Sequence, residues 1–222
     1  MEKVSIKTSD DVTLSADYYA VDSPTAAIAY FHMMPATKES WRDLAEYLAG
    51  RGIAGLAVDL RGHGASFGGP LGYKSFSPGE HQAGILDIDA VLHFLHGQAL
   101  GITPDKVTLM GASIGANLTL KFLAVHNEYR KAVLFSPGLN YHGIEAGPLV
   151  KSFTNGRKIF FIASHGDFAG GSDNGDQNLA LAYAVPEGSE KLVKIYSGAG
   201  HGTDILSADP ELKKEIFEFV IS

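Results

Sequence analysis

The run KVTLMGASIGA, residues 106–116, constrains the fold of this chain more than any other stretch. A β-branched and apolar segment ends there in GASIG, and a helix-compatible segment, ANLTLKFLAVH, begins at once. A sharp turn between a buried strand and a helix forces its central residue into a strained backbone conformation, and small flanking residues let strand and helix approach closely. The pattern therefore predicts a strand, a tight turn and a helix, with Ser113 raised above the end of the strand.

The rest of the chain repeats this alternation of strand and helix. An antiparallel hairpin, VSIKT with VTLSADYYA, comes first, and strand-length apolar runs follow in AAIAYFH, IAGLAVDL, KAVLFSPG, RKIFFIASHGD and KLVKIYSGAGHG. Helical spacing of apolar residues occurs at 41–50, from about 78 to 100, at 178–185 and at 208–222. This order predicts an α/β fold: a three-layer sandwich with a mostly parallel sheet of about eight strands, an antiparallel start and helices on both faces.

The predicted organisation is a single domain over residues 1–222, without a substantial cap or lid insertion. A chain of 222 residues can bury one sizeable core but not comfortably two. The predicted strand KAVLFSPG follows the helix after Ser113. About 20 residues separate it from the next predicted strand, which is too few for a large lid. This segment, 139–156, is predicted to be short and irregular, with one or two helical turns near 148–151.

Composition disfavours several classes of function. The net charge is −7 and the lysines and arginines are scattered, which argues against a nucleic-acid partner. No apolar run approaches the roughly 18 residues of a membrane span, and the N-terminal residues lack a signal-peptide pattern. Because the sequence has no cysteine, we expect a cytoplasmic protein without disulfides. No spaced set of His, Asp and Glu resembles a metal site, so neither a metal nor another cofactor is expected.

Polar residues follow the predicted strands at the point where each strand ends. Ser113, Asp167 and His201 each lie just beyond such a strand, separated by 54 and 34 residues. The carboxyl ends of parallel strands meet at one edge of a sheet, so these side chains can share a site. Acyl transfer needs a nucleophile, a base, a carboxylate that orients the base, and donors for the oxyanion. Ser113 as nucleophile, Asp167 as the orienting acid and His201 as base fit the first three of these roles.

Several segments together resemble the α/β-hydrolase fold family. They are the elbow GASIG, the loops YFHMMP and DLRGHGAS, the strand end IFFIASHGD, and GAGHG near the C-terminus, in the family order of nucleophile, acid and histidine. The resemblance covers nearly the whole chain and is closest to the small, cap-less esterase and dienelactone-hydrolase-like members. It implies a serine hydrolase that cleaves a small carboxylic ester, thioester or lactone through a Ser113 acyl-enzyme.

The resemblance also assigns the oxyanion donors and bears on the substrate pocket. By position, the backbone N–H groups of Met34 and Ile114 match the donors of the family. Met33 departs from the family pattern, in which glycine follows the histidine, and its side chain is a candidate for narrowing the acyl pocket. Trp41 is a second pocket candidate, although a lone Trp at the start of a helix is more often a core residue.

Two acids nearby are alternatives to Asp167. Asp173 follows a glycine-rich stretch that is poorly suited to fixing a side chain. Asp176 is expected to cap the next helix or to occupy its first turn, where the helix dipole favours an acid. Asp167 is preferred because it lies only four residues beyond Ala163, where the apolar run stops.

The remaining polar residues at strand ends are predicted to be structural. His32 and His63 would satisfy backbone groups of the loops around the site. Asp59 and Arg61 would hold loops together through charge and hydrogen bonds. Ser136 is expected only to shape the wall of the site.

Two alternative functions remain beside the ester hydrolase. A small serine peptidase or amide hydrolase would use the same catalytic groups, but the lack of a substantial insertion to grip a peptide disfavours it. A non-catalytic binding module on the same fold belongs to a different class. Such proteins often lose a member of the triad, whereas all three members are present in this chain.

Overall fold

An eight-stranded sheet runs through the centre of the computed structural model, which describes residues 1–98, 101–154 and 156–222. The strands are, in chain order, β1 (Glu2–Lys7), β2 (Thr13–Tyr19), β3 (Ala26–Phe31), β4 (Ile53–Val58), β5 (Val107–Ala112), β6 (Lys131–Phe135), β7 (Asn140–Tyr141), β8 (Ile144–Glu145), β9 (Lys158–His165) and β10 (Glu190–Ser197). The large sheet has the order β1-β2-β4-β3-β5-β6-β9-β10, and β7 pairs with β8 separately. Strand β2 runs opposite to both of its neighbours, and the other pairs of the large sheet are parallel. The mostly parallel sheet with an antiparallel start is therefore confirmed.

Helices cover both faces of this sheet. They are α1 (Arg42–Ala49), α2 (Pro78–Gln82), α3 (Ile85–Gln98), α4 (Ile114–Val125), α5 (Ala146–Lys151), α6 (Asn174–Ala184), α7 (Ile205–Ala208) and α8 (Leu212–Ile221). Apolar side chains of α3, α4, α5 and α6 pack on one face, and those of α1, α7 and α8 pack on the other. Every residue of β3, β4 and β5 is buried because both faces of these strands are covered. None of the helices in the described residues is long and apolar enough to cross a membrane.

Three predicted helices have different bounds in the structure. The segment predicted as one helix from about 78 to 100 forms α2 and α3, and residues 99 and 100 lie outside the described chain. A Cβ on Gly84, at the break, would lie 2.8 Å from Cδ1 of Leu118, so glycine lets α4 approach closely here. The closing helix predicted at 208–222 begins later, at Leu212, and the separate short helix α7 precedes it. The helix predicted at 178–185 begins earlier, at Asn174.

The segment 139–156 is more regular than predicted. Its described residues include the hairpin β7–β8 and the helix α5. Asn117 of α4 fixes the hairpin, because its Nδ2 donates to the carbonyl oxygens of Gly138 (2.9 Å) and Ile144 (3.1 Å). Its Oδ1 accepts the N–H of Gly138 (3.0 Å). A buried amide with these partners holds the hairpin against the first turn of α4, next to the elbow.

The parallel strands bring the candidate functional residues to one edge of the sheet. Strand β5 ends directly before Ser113, β9 ends two residues before Asp167, and β10 ends four residues before His201. Since these strands run in the same direction, their carboxyl ends lie at the same edge, where ligands bind in sheets of this kind. The fold therefore places three residues from distant parts of the sequence at one edge.

Candidate active site

Ser113 lies in a strained turn between β5 and α4. Its backbone has φ 53° and ψ −117°, a conformation that residues other than glycine rarely adopt. Two glycines make the turn possible. A Cβ on Gly111 would lie 2.4 Å from the carbonyl oxygen of Gly115, and a Cβ on Gly115 would lie 2.3 Å from the carbonyl oxygen of Phe31. The GASIG run thus folds as a nucleophile elbow, in which Ser113 is 9% exposed.

The elbow presents a free backbone N–H beside the serine hydroxyl. The N–H of Ser113 donates to the carbonyl oxygen of Phe135 (2.8 Å), which ties the turn to β6. Ile114 is the first residue of α4, so its N–H has no acceptor within the helix. In the described residues, neither this N–H nor that of Met34 donates a hydrogen bond to another protein group. Both predicted oxyanion donors are therefore free to bind a ligand.

His201 and Asp167 form a direct hydrogen bond. Nδ1 of His201 lies 2.6 Å from Oδ2 of Asp167, and because a carboxylate only accepts, Nδ1 carries the proton. The other carboxylate oxygen, Oδ1, accepts the N–H of Ala169 (3.0 Å). The backbone carbonyl of Asp167 accepts the N–H of Asn174 (2.7 Å). In the neutral ring Nε2 is then an acceptor, which is the state that a general base requires.

Two serines anchor the loop that carries His201. Ser136 Oγ accepts the N–H of Gly202 (2.9 Å), and Ser164 Oγ accepts the N–H of Ala199 (3.0 Å). Both serines are fully buried. The expectation that Ser136 only shapes the wall of the site was wrong, because its hydroxyl holds the residue next to His201.

The histidine loop also lies against the strand that carries the nucleophile. A Cβ on Gly202 would be 3.5 Å from Cβ of Ala112, so the residue after His201 contacts the residue before Ser113. Among the described residues no direct hydrogen bond joins Ser113 to His201. Such bonds are often long in free enzymes and tighten when a substrate binds. The structure thus brings the three predicted catalytic residues to one place.

Asp173 and Asp176 serve the following helix instead of His201. Asp173 is the N-cap of α6, and its carboxylate accepts from the N–H of Asp176 (3.2 Å), the N–H of Gly166 (2.8 Å) and Nδ1 of His165 (2.8 Å). The Gly166 amide and the His165 ring lower the pKa of Asp173 to about 2. Asp176 lies in the first turn of α6, as predicted. The expectation that Asp173 is poorly fixed was wrong, but Asp167 is the acid that contacts His201.

This cluster is also a compact group of possible metal ligands. Ligand atoms of His165, Asp173 and Asp176 lie within 4.8 Å of one another. Asp173 already uses its carboxylate oxygens as the cap of α6, and the side chain of Asp176 is 76% exposed. Hydrogen bonding and capping therefore account for the arrangement.

The sequence profile of a family described as serine aminopeptidase, S33, matches residues 22–165, more than half of the chain. The chain belongs to this family. It is therefore an α/β-hydrolase, and the profile covers the elbow with Ser113 and ends just before Asp167. No curated protein matches the sequence significantly.

Solved structures of other α/β-hydrolases superimpose on nearly the whole of this one. DcsB, solved in complex with its substrate analogue, is 17% identical with a TM-score of 0.81, covering 99% of this chain and 97% of its own. The Pyrococcus furiosus esterase Pf2001 is 20% identical with a TM-score of 0.77, covering 99% and 91%. The Exiguobacterium antarcticum esterase EaEST is 15% identical with a TM-score of 0.73, covering 100% of both chains. At these identities the likeness establishes the fold, not the substrate.

In this α/β-hydrolase, His32 has a structural role, as predicted. Its Nδ1 donates to the carbonyl oxygen of Met33 (2.8 Å), and its Nε2 accepts the N–H of Leu60 (3.0 Å). Burial lowers the pKa of His32 to about 4, and the neighbouring His63 ring acts in the same direction. The neutral ring joins the loops that follow β3 and β4.

Asp59 and Arg61 of the hydrolase also connect loops, as predicted. The buried carboxylate of Asp59 accepts the N–H of Lys38 (2.9 Å) and Nζ of the same residue (2.6 Å). The guanidinium of Arg61 bonds to Asp87 (2.8 Å) and to Asp10 (2.7 Å). These charge-assisted bonds tie the loop after β4 to the hairpin β1–β2 and to α3.

A narrow cavity adjoins the predicted oxyanion donors. The residues around it are mostly apolar, with two imidazoles, and comprise Met34, Leu60, Arg61, His63, Phe76, His81, Gly84, Ile114 and Leu118. The free space has room for about one water molecule. Burial lowers the pKa of His81 to about 4 and also lowers the pKa of His63, so both rings are neutral near pH 7. The cavity thus borders both residues whose N–H groups are the predicted oxyanion donors.

The two predicted pocket residues of the hydrolase lie elsewhere. Trp41 is fully buried in the core, where its ring packs 5.5 Å from the rings of Tyr30 and Phe135, so it cannot contact a substrate. Met33 does not line the cavity, because its sulfur packs against Gly202 under the histidine loop. The prediction for Trp41 was wrong. Met33 lies beside the histidine loop and stays a predicted pocket residue, and Met34 is the methionine beside the cavity.

Tyr141 is a site residue that the sequence did not reveal. Its ring lies edge-on to that of His201, with the centroids 6.5 Å apart, and its hydroxyl donates to the carbonyl oxygen of Ala169 (3.1 Å). Burial raises the pKa of Tyr141 to about 12, with a smaller contribution from the charge of Asp167, while a hydrogen bond with Ser113 acts in the opposite direction. It belongs to the segment 139–156, for which no regular hairpin was predicted.

Proposed function

We propose that this α/β-hydrolase cleaves a small carboxylic ester, thioester or lactone through an acyl-enzyme on Ser113. The observation that carries the proposal is the 2.6 Å bond between His201 and Asp167, next to a serine in a strained elbow. Two structural relatives, Pf2001 and EaEST, are esterases, which supports the same class of substrate. The proposed substrate is therefore a small molecule with an activated acyl group.

The proposed first half-reaction forms the acyl-enzyme. Ser113 Oγ attacks the carbonyl carbon while Nε2 of His201 takes the hydroxyl proton, and Asp167 stabilises the resulting imidazolium. The N–H groups of Ile114 and Met34 would bind the oxyanion of the tetrahedral intermediate. The bond between the carbonyl carbon and the leaving oxygen or sulfur then breaks, and the leaving atom receives the proton from Nε2. In the second half-reaction, water replaces the leaving group and the same steps release the acid.

The cavity beside Ile114 supports a short acyl group. It is closed by large side chains, among them Phe76 and Leu118, and has room for about one water molecule. An acetyl or propionyl group would fill such a space after small movements of side chains, whereas a long chain would require the displacement of buried core residues. Esters of short acids such as acetate are therefore the expected class of good substrate.

An amide substrate is the second candidate, because the family is described as serine aminopeptidase. An aminopeptidase must bind the N-terminal ammonium of its peptide, and a carboxylate is the usual partner for such a charge. The residues around the described cavity include two neutral imidazoles and an arginine, but no carboxylate. This composition favours the ester over the peptide.

Labelling with a fluorophosphonate tests the nucleophile, and a substrate panel tests the class. We expect one adduct, on Ser113, and no labelling of Ser113→Ala, while the exposed control Ser207→Ala labels like the wild type. We expect turnover of p-nitrophenyl acetate at least about 100-fold faster than that of alanine p-nitroanilide. Faster cleavage of the anilide would favour the aminopeptidase, and a folded protein without any adduct would favour a binding module.

A further inference from the structure

Tyr141 is held rigidly at the mouth of the site. A Cβ on Gly138 would lie 2.5 Å from Cζ of the Tyr141 ring, and a Cβ on Gly170 would lie 2.9 Å from its Cε1. The ring thus occupies a slot between the loop after β6 and the loop after Asp167, and only glycine leaves room for it on either side. The hairpin that carries Tyr141 is itself fixed by the side chain of Asn117.

The hydroxyl of Tyr141 lies where three parts of the site meet. It donates to the carbonyl oxygen of Ala169, two residues beyond the catalytic acid. The ring edge contacts the imidazole of His201. Asn117, which holds the hairpin of Tyr141, lies one helical turn beyond Ser113, and the Ser113 side chain acts to lower the pKa of Tyr141.

The position of a leaving group follows from the proposed reaction. In the tetrahedral intermediate the leaving oxygen and Ser113 Oγ are bonded to the same carbon. The leaving oxygen must also face His201, because Nε2 supplies the proton that it takes. Tyr141 lies beside His201 and near Ser113, so its hydroxyl can reach this position.

We propose that the hydroxyl of Tyr141 donates a hydrogen bond to the leaving oxygen of an alkyl ester as the acyl-enzyme forms. This inference rests on the proposed function of Ser113. In the free enzyme the hydroxyl proton points to the carbonyl oxygen of Ala169, and it turns to the leaving oxygen when negative charge develops there. Ala169 is only partly buried, so water can satisfy its carbonyl after the turn.

The protons balance without any transfer from the tyrosine. The proton of Ser113 moves to Nε2 of His201 and then to the leaving oxygen, which departs with the electron pair of its bond to carbon. Tyr141 keeps its own proton throughout and acts as a donor only. Because the high pKa of Tyr141 keeps the phenol protonated, it can serve as a donor at any pH at which His201 acts as base.

The leaving group decides how much this donor contributes. An alkoxide carries a nearly full negative charge as it departs, so a hydrogen bond to it strengthens in the transition state. A p-nitrophenolate spreads its charge over the ring and needs little assistance. Removal of the Tyr141 hydroxyl should therefore slow alkyl esters much more than p-nitrophenyl esters.

The test is Tyr141→Phe, which keeps the ring between the two glycines and removes one oxygen. We expect kcat/KM for ethyl acetate to fall by about 10- to 100-fold, which corresponds to the loss of a hydrogen bond to a charged group. The value for p-nitrophenyl acetate should fall by less than about threefold. Tyr183→Phe is the matched control, since Tyr183 is 89% exposed, and it should leave both values unchanged.

The ratio of the two losses decides the proposal even if the variant is less stable, because both esters are measured on the same folded protein. Equal losses for both esters would assign Tyr141 a positioning role for Ser113 or His201 and overturn the leaving-group role. Unchanged kcat/KM for ethyl acetate would overturn it as well. A wild-type protein that turns over neither ester would instead refute the proposed function itself.

Discussion

The substitution Asp167→Asn tests which acid orients the histidine. Asparagine has the same shape as aspartate, so the effect depends on which way its amide points. Oδ1 of Asp167 accepts the N–H of Ala169 (3.0 Å), and only the carbonyl oxygen of asparagine can take over that role. The NH₂ group would then face His201 Nδ1, where the carboxylate oxygen now lies at 2.6 Å.

This arrangement would trap the imidazole in the wrong tautomer. Nδ1 would have to accept from the NH₂ group, so the proton would move to Nε2, which could no longer take the proton of Ser113. The negative charge that stabilises the imidazolium would be lost at the same time. We expect kcat to fall by roughly 10³- to 10⁴-fold, as for other triads in which the acid becomes an amide. That loss corresponds to about 4–5.5 kcal/mol of transition-state stabilisation.

Folding should survive the change, because the backbone bond between the Asp167 carbonyl and the N–H of Asn174 does not involve the side chain. The assay is steady-state hydrolysis of p-nitrophenyl acetate, with a thermal melt of each variant. Asp173→Asn is the matched control, since asparagine is also a good N-cap, and it should cost less than about tenfold in kcat. A larger loss for Asp173→Asn than for Asp167→Asn would refute this assignment of the acid.

Two further expectations concern the cavity and the buried imidazole. Wild-type protein should turn over acetate and butyrate esters faster than octanoate or palmitate esters. Leu118→Ala enlarges the cavity and should raise the butyrate-to-acetate ratio of kcat/KM by roughly tenfold, which corresponds to the transfer free energy of two methylenes. An unchanged ratio would place the acyl group elsewhere. The folded-state pKa of His32, about 4, lies below the ordinary value near 6.5. The unfolded chain therefore takes up a proton first as pH falls, and the free energy of unfolding should decline from pH 6.5 towards pH 4. His32→Gln keeps one donor and one acceptor but does not titrate. Between pH 7 and pH 5 its free energy of unfolding, measured with urea, should therefore fall by about 2 kcal/mol less than that of the wild type. An equal fall in both proteins would assign the pH dependence to other groups.

The fold and the order of the catalytic candidates could be predicted because both depend on local signals. The central strands β3 to β6 are apolar runs that stop at a polar residue, and the GASIG turn identifies its serine from its immediate neighbours. The choice of Asp167 also followed from its short distance to the end of β9. The glycine-rich stretch before Asp173 does not leave its side chain loose, because the carboxylate is fixed as the cap of α6.

The missed and misplaced residues depend on contacts between loops that are distant in sequence. Tyr141 is positioned by glycines from two other loops, and no local pattern marks a hairpin of two-residue strands. The packing of the Met33 sulfur against Gly202, next to His201, likewise exists only in the folded chain. Trp41 could belong to the core or to the pocket, depending on the face of the sheet against which its helix packs. The sequence does not specify that face.

The loop of His201 is held by more than the edge strand that precedes it. This loop follows β10, the outermost strand, which pairs with β9 alone in the described sheet. The end of an edge strand is fixed by one neighbouring strand and not by two. Displacement of a catalytic group by about 1 Å can nevertheless cost roughly 100-fold in rate. Ser164 and Ser136, at the ends of the more central strands β9 and β6, bind the loop on both sides of the histidine. The position of His201 therefore depends on β9 and on β6, the strand that pairs with the strand of Ser113.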